Sequence, residues 1–300
     1  MLALSDRTDR IRLRMGRGTA DVITGERLRL APDMYPWLVS DPDDQSEPIR
    51  RMRQKLDEFY ATTNDYPAFE TGSDNSVYYQ AIEPYLRSTI DRRGRARVLE
   101  LGTGRPTFGT HFAAIRDKIE YHVQDVTPKN RQALAGAADR VWIGDIADVR
   151  GEFDLIFSTF VFEHVSAPRP FLEGVRNLLA AGGTHFIFCP RYDQPGYLCP
   201  SLRYHGPGRQ LGLKCFFAAS RLLAMFDRRP RFWVNSDPAV FHRPFFRDAD
   251  AVHIVSRGDV ERWHRSNGFE VHRIALPATG WRAWILRRLL TLSLACTKTS

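Results

Sequence analysis

The run Arg97-Val-Leu-Glu-Leu-Gly-Thr-Gly-Arg105 constrains the fold more than any other stretch of the chain. An apolar strand carrying Glu100 runs directly into Gly102 and Gly104. Glycines at such a place let the backbone turn with positive φ and approach a ligand closely, and a following helix aims its first N–H groups at anything anionic. A parallel α/β sheet opens a nucleotide-type pocket in this way. The motif alone fits many cofactors, so the residues after it must discriminate.

A dinucleotide site uses a third glycine, in G-x-G-x-x-G, for close helix–strand packing beside the pyrophosphate. Here the third position is Thr107, and Pro106 precedes it. Proline is predicted in the first turn of the next helix, where its missing N–H costs little. A diphosphate would miss that donor, so Thr107 and Pro106 disfavour a nicotinamide cofactor. Tyr121-His-Val-Gln-Asp125 reads as a second strand, ending about twenty residues past the glycines, where a carboxylate clamps a ribose diol. Val141-Trp-Ile-Gly-Asp145 reads as a third strand with an acid just beyond it, and Phe153 to Phe160 as a fourth. Four strand ends therefore converge on one edge of a sheet.

On these residues the chain resembles the class I S-adenosylmethionine-dependent methyltransferases, in particular small-molecule and glycan methyltransferases with an E-x-G-x-G loop. The resemblance is strong over residues 95–192 and weak over 250–300. It implies a Rossmann-like, doubly wound α/β fold with a seven-stranded sheet of order 3-2-1-4-5-7-6, the last strand antiparallel, plus an N-terminal extension and a cap insert. It implies S-adenosyl-L-methionine as cofactor, held by Glu100, Gly102 and Gly104, by Asp125 and Val126 at the ribose, by Asp145 and Ile146 at the adenine, and by Ser158 and Thr159 at the end of the fourth strand. The passage Leu172 to Pro190 looks like the family's helix, glycine pair and strand, with Gly182-Gly183 between the two elements. Pro106 departs from the family pattern, standing where a third motif glycine is common.

The chemistry asks for these residue types. The cofactor carries an amino-acid tail, a sulfonium, a ribose diol and an adenine, but no phosphate, so charge-assisted bonds from Asp125 and Asp145 suit it. Methyl transfer is an in-line displacement of the methyl group from sulfur, accelerated mainly by aligning the acceptor atom behind that methyl. A base helps only where the acceptor must lose a proton. His164, next to Glu163 after the fourth strand, is the candidate base, its ordinary pKa lying near neutrality. A pocket-wall role for this His is the competing reading.

Composition agrees with a globular enzyme: 300 residues, 43% hydrophobic and 26% charged. No apolar run is long enough to span a membrane, and Met1 to Arg17 lacks the apolar core of a secretory signal, so a cytoplasmic location is expected. Cys189, Cys199, Cys215 and Cys296 lack C-x-x-C spacing, and neither a metal site nor a disulfide framework is expected. The formal charge of +8 comes mostly from dispersed arginine clusters, including Arg228 to Arg231. No nucleic-acid module accompanies them, so nucleic acid is not an expected partner and a solvated surface is the simpler reading.

Residues 1–48 read as an accessory segment with a hairpin around Thr24-Gly25, and 49–300 as the methyltransferase domain. Residues 49–93 read as helical with a break at Thr62 to Ser76, and Tyr78 and Tyr79 are set either to close over the cofactor or to pack in the core. An insert over about 192–250 leaves from the end of the fifth strand, which places it over the substrate. Arg191, Tyr192, His205 and His242 are the candidate substrate contacts. The expected reaction is O-methylation of a small-molecule or glycan acceptor, with a non-catalytic cofactor-binding scaffold as the alternative. Two apolar, cationic stretches, Leu211 to Phe226 and Trp281 to Leu290, suggest peripheral membrane contact, against the simpler reading that they pack inward. Oligomeric state is not legible.

Overall fold

The computed structural model describes residues 35–43, 45–62, 75–104, 106–194, 196–224, 226, 229–237, 240–241 and 248–299. The hairpin at Thr24-Gly25 and the candidate His242 lie outside the described residues.

The chain enters through β1 (Leu38–Ser40), α1 (Glu47–Thr62) and α2 (Ser76–Arg93) before reaching β2 (Ala96–Leu101). Then follow α3 (Phe108–His111), β3 (Ile119–Asp125), α4 (Arg131–Ala135), β4 (Arg140–Ile143) and β5 (Phe153–Thr159). After α5 (Pro168–Leu178) and β6 (Leu179–Pro190) come α6 (Pro207–Ala224), β7 (Trp233–Asn235) and β8 (His253–Ile254). The chain closes with α7 (Arg257–Ser266), β9 (Phe269–Arg273), α8 (Gly280–Trp284) and β10 (Thr291–Lys298).

The central sheet has the order β4-β3-β2-β5-β6-β10-β9. Counted along this sheet it is the 3-2-1-4-5-7-6 order of the resemblance. β2 pairs in parallel with β3 and β5, and β10 runs antiparallel to both β6 and β9. Both faces are covered, so the inner strands are apolar on both sides. Val98 and Phe157 face a cluster with Tyr79, Ile82 and Leu86 of α2, at helical spacing, while Leu99 and Ile156 face Leu172 and Val175 of α5 and Trp263 of α7. Tyr79 is only 1% exposed and edge-on to Phe108 and Phe157, which makes it a core residue rather than a cover for the cofactor.

Two local expectations shift. Gly182-Gly183 lies inside β6, not between helix and strand: Phe153 pairs with Leu179 while Leu155 pairs with Thr184, so β6 bulges there. Gly182 has φ +72° and a Cβ on Gly183 would come within 3.0 Å of the Phe153 carbonyl, so glycine is what the bulge requires. Pro106 does not open a helix. It precedes Thr107, the residue before the single turn α3, so no long helix rises from the glycine turn.

The cap is a three-stranded antiparallel sheet, β1-β7-β8. Leu38 pairs with Asn235 and Trp233 with Ile254, so part of the N-terminal segment is woven into the insert. Strand periodicity explains its two faces. Leu38, Trp233 and Ile254 meet Leu213 of α6, while Val234, on the other face, meets Ile49, Met52 and Leu56 of α1 together with Val252, which precedes β8. The cap is thus a layer between two helices, anchored over the carboxyl edge of the central sheet.

Candidate active site

Gly102 and Gly104 both adopt the left-handed conformation, with φ +61° and +56°. A Cβ on Gly102 would come 2.5 Å from a Val161 methyl, so no side chain fits beneath the segment that follows β5. β3 holds this turn from beside it. The Gln124 side chain accepts from Gly102 N–H at 3.3 Å and donates to the Gly144 carbonyl at 2.5 Å, tying the loops after β2 and β4 together. The buried Asp125 carboxylate accepts from Gly104 N–H at 2.9 Å, Thr127 N–H at 2.9 Å and Asn130 Nδ2 at 3.1 Å. Gln124 and Asn130 carry no motif signature. Gln124 lies in a strand that also carries Glu120 and His122, so its polarity does not single it out in the sequence.

Val126, beside Asp125, is 49% exposed, and Ile146 is buried. Asp145 caps a short 3₁₀ turn, accepting from Ala147 N–H at 2.9 Å, and lies 3.9 Å from Arg53 of α1. Glu100 has a different setting. Its carboxyl is buried and accepts the Tyr121 hydroxyl, and burial pushes its pKa up to about 8.

The end of β5 concentrates buried polar atoms. Ser158 Oγ, Thr159 Oγ1 and both Glu163 carboxyl oxygens have no hydrogen-bond partner. Burial raises the Glu163 pKa to about 8 against the pull of His164. His164 Nδ1 lies 3.1 Å from Asp250 Oδ2, which also accepts the Tyr60 hydroxyl of α1 at 2.7 Å. Burial works against charge on the imidazole, but the Asp250 carboxylate, helped by Glu163, outweighs it and lifts the His164 pKa to about 10. At neutral pH His164 therefore carries a proton, and it accepts another group's proton only after losing its own.

The substrate candidates separate. Arg191 and Tyr192 follow β6 beside this centre, and Glu163 bears electrostatically on the buried Tyr192 hydroxyl. His205 lies within the cap, stacked on Trp37 with ring centroids 4.5 Å apart.

The family model for the methyltransferase domain matches residues 49–274. The chain belongs to the class I S-adenosylmethionine-dependent methyltransferases. No curated protein matches the sequence. Among solved structures, the chain is similar to the plantazolicin methyltransferase BamL in complex with a triazolic desmethylPZN analog and SAH, at 15% identity and TM-score 0.52, over 85% of this chain and 97% of that one. The 1,6-didemethyltoxoflavin-N1-methyltransferase of Burkholderia thailandensis is similar at 15% identity and TM-score 0.47, over 88% and 95%. The residues present fit the cofactor. Two left-handed glycines provide room for close backbone approach, Asp125 is oriented by three donors, and unpartnered hydroxyls and a carboxyl wait at the end of β5.

The electrostatics of His164 generate a prediction. Its raised folded pKa contributes stability that is fully present below the ordinary imidazole pKa and is lost as pH rises through about 10. Asp250→Asn is expected to lower the His164 pKa toward neutrality, read by NMR titration of the imidazole. A His164 pKa unchanged in that variant would show that Asp250 does not hold the proton.

Proposed function

We propose that this methyltransferase transfers a methyl group to a hydroxyl oxygen of a small-molecule or glycan acceptor, bound between the end of β5 and the cap. The observation that supports this reading is the assembly of Glu163, His164, Asp250 and Tyr60 at the end of β5. A hydroxyl must lose its proton as its oxygen attacks the methyl carbon and the sulfur leaves as the thioether of S-adenosylhomocysteine, and such groups hold or move protons where an aligned nucleophile alone needs none. Asp125 and Val126 serve the ribose in this proposal, Asp145 and Ile146 the adenine, and Glu100, Gly102, Gly104, Ser158 and Thr159 the rest of the cofactor. His164 acts as base in its neutral form, so turnover rises with pH toward the region where His164 titrates. Arg191 and Tyr192 are the acceptor contacts nearest this centre, and His205 contacts only an acceptor long enough to reach Trp37.

The proposal includes a cytoplasmic site of action and peripheral contact with an anionic membrane face. Among the described residues no helix is long and apolar enough to cross a membrane. Trp281, Trp284, Leu286 and Leu289 are all at least 40% exposed and lie among Arg282, Arg287 and Arg288, the composition of an interfacial helix.

Incubation with S-adenosylmethionine and panels of hydroxyl and amine acceptors, read by mass shift, tests the reaction. Methylation of hydroxyl acceptors is expected, with His164→Ala slower by on the order of 10²-fold and without the rise in turnover that the wild type shows as His164 loses its proton. Exclusive methylation of amines, or a His164→Ala profile parallel to the wild type, would remove the proton-handling role.

A further inference from the structure

Beyond the cofactor loops, a cavity of about 220 Å³ opens where β6 hands the chain to the cap. Its wall contains seven arginines and two aspartates. These arginines come from sequence positions between 191 and 273, and the fold gathers them from the end of β6, the end of α6, the approach to β7, the first turns of α7 and the end of β9.

Among the described residues, three acids bear on these arginines. Arg191, only 2% exposed, spends its guanidinium on Asp193 through bonds of 2.7 and 2.9 Å. Arg262 donates to Asp259 at 2.7 Å, yet its Nε is buried without a partner. Glu261 takes both nitrogens of Arg273, at 2.5 and 2.9 Å, and lies only 3.8 Å from Arg257. Burial first, and then the charges of Arg191 and Arg273, lower the pKa of Arg257, the mark of cations held together against their repulsion. Setting aside Arg229 and Arg231, which have further partners, five wall arginines face Asp193, Asp259 and Glu261 among the described residues, a surplus of two positive charges.

A protein keeps such an excess where an anion completes it, and planar guanidiniums suit phosphate oxygens through paired N–H···O bonds. The volume falls below that of a pocket for a whole drug-sized ligand, so the cavity suits a charged handle rather than a complete molecule. Trp233 and Phe217 line it as well, giving the apolar wall that flanks such a handle. Tyr192 also lines the cavity and bears electrostatically on Glu163, which puts the cavity next to the reacting end of the site.

We propose that this cavity binds a phosphate or diphosphate group, and that the group belongs to the methyl acceptor. The second half rests on the O-methyl-transfer reading; the first half does not. Phosphate on a soluble molecule and phosphate on a lipid present the same chemistry to the arginines, and Leu222 and Phe226, 63% and 76% exposed at and just beyond the end of α6, stand where a lipid carrier would run.

Calorimetry with inorganic pyrophosphate on the full chain, with S-adenosylhomocysteine present, tests the site without requiring any transfer. Binding is expected to weaken about tenfold or more in Arg257→Gln and in Arg221→Gln, and to stay unchanged in Arg50→Gln on α1. Each variant's affinity for S-adenosylhomocysteine reports that it is folded. Sedimentation with phosphatidylcholine vesicles, with and without phosphatidic acid, separates the two sources. Pelleting that pyrophosphate reverses and Arg257→Gln abolishes assigns a lipid phosphate, whereas pyrophosphate binding without pelleting assigns a soluble one. Absence of pyrophosphate binding, or equal binding by Arg257→Gln and Arg50→Gln, overturns the proposal.

Discussion

The site depends on β3 fixing the conformation of a turn that belongs to β2. Two glycines at positive φ have many alternatives open to them, and choosing one costs entropy. Gln124 and Asp125 offset that cost by accepting the N–H groups of Gly102 and Gly104 from the neighbouring strand. The parallel register that sets Leu101 opposite Gln124 makes both bonds possible. Strand pairing in the core and the geometry of the edge are therefore the same structural fact, and Asp125 stands at that edge already oriented by Thr127 and Asn130.

The cluster around His164 is assembled differently, from three separate segments of the chain. Glu163 and His164 come from the end of β5, Asp250 from the chain leaving the cap, and Tyr60 from α1. Val252 N–H donates to the Glu163 carbonyl at 2.9 Å, so the cap is bonded to the segment that carries Glu163 and His164. α1 packs on the cap sheet through Ile49, Met52 and Leu56 and reaches the site through Tyr60 and Arg53.

Much of this architecture was legible in the sequence because it is local. Gly102, Gly104, Asp125 and Asp145 lie at the ends of short apolar runs, and strand ends in a parallel sheet converge by topology alone. The partners of His164 were not legible, since Tyr60 and Asp250 are separated by 190 residues and neither belongs to a motif. The general preference of proline favours the first turn of a helix, whereas Pro106 lies before Thr107, the residue that precedes α3. Gly182-Gly183 looked like a boundary because glycines commonly end elements, whereas here they bulge a strand. The arginines read as dispersed surface charge because their proximity exists only after β6, α6, α7 and β9 have packed.

The central claim is that the turn after β2, fixed by Asp125, holds S-adenosylmethionine. Calorimetry with S-adenosylhomocysteine and with NADH measures it directly. The account predicts binding of S-adenosylhomocysteine by the wild type, strong loss of that binding in Asp125→Ala with the fold retained, and no binding of NADH. Tight NADH binding, or an Asp125→Ala protein that binds S-adenosylhomocysteine like the wild type, would contradict it.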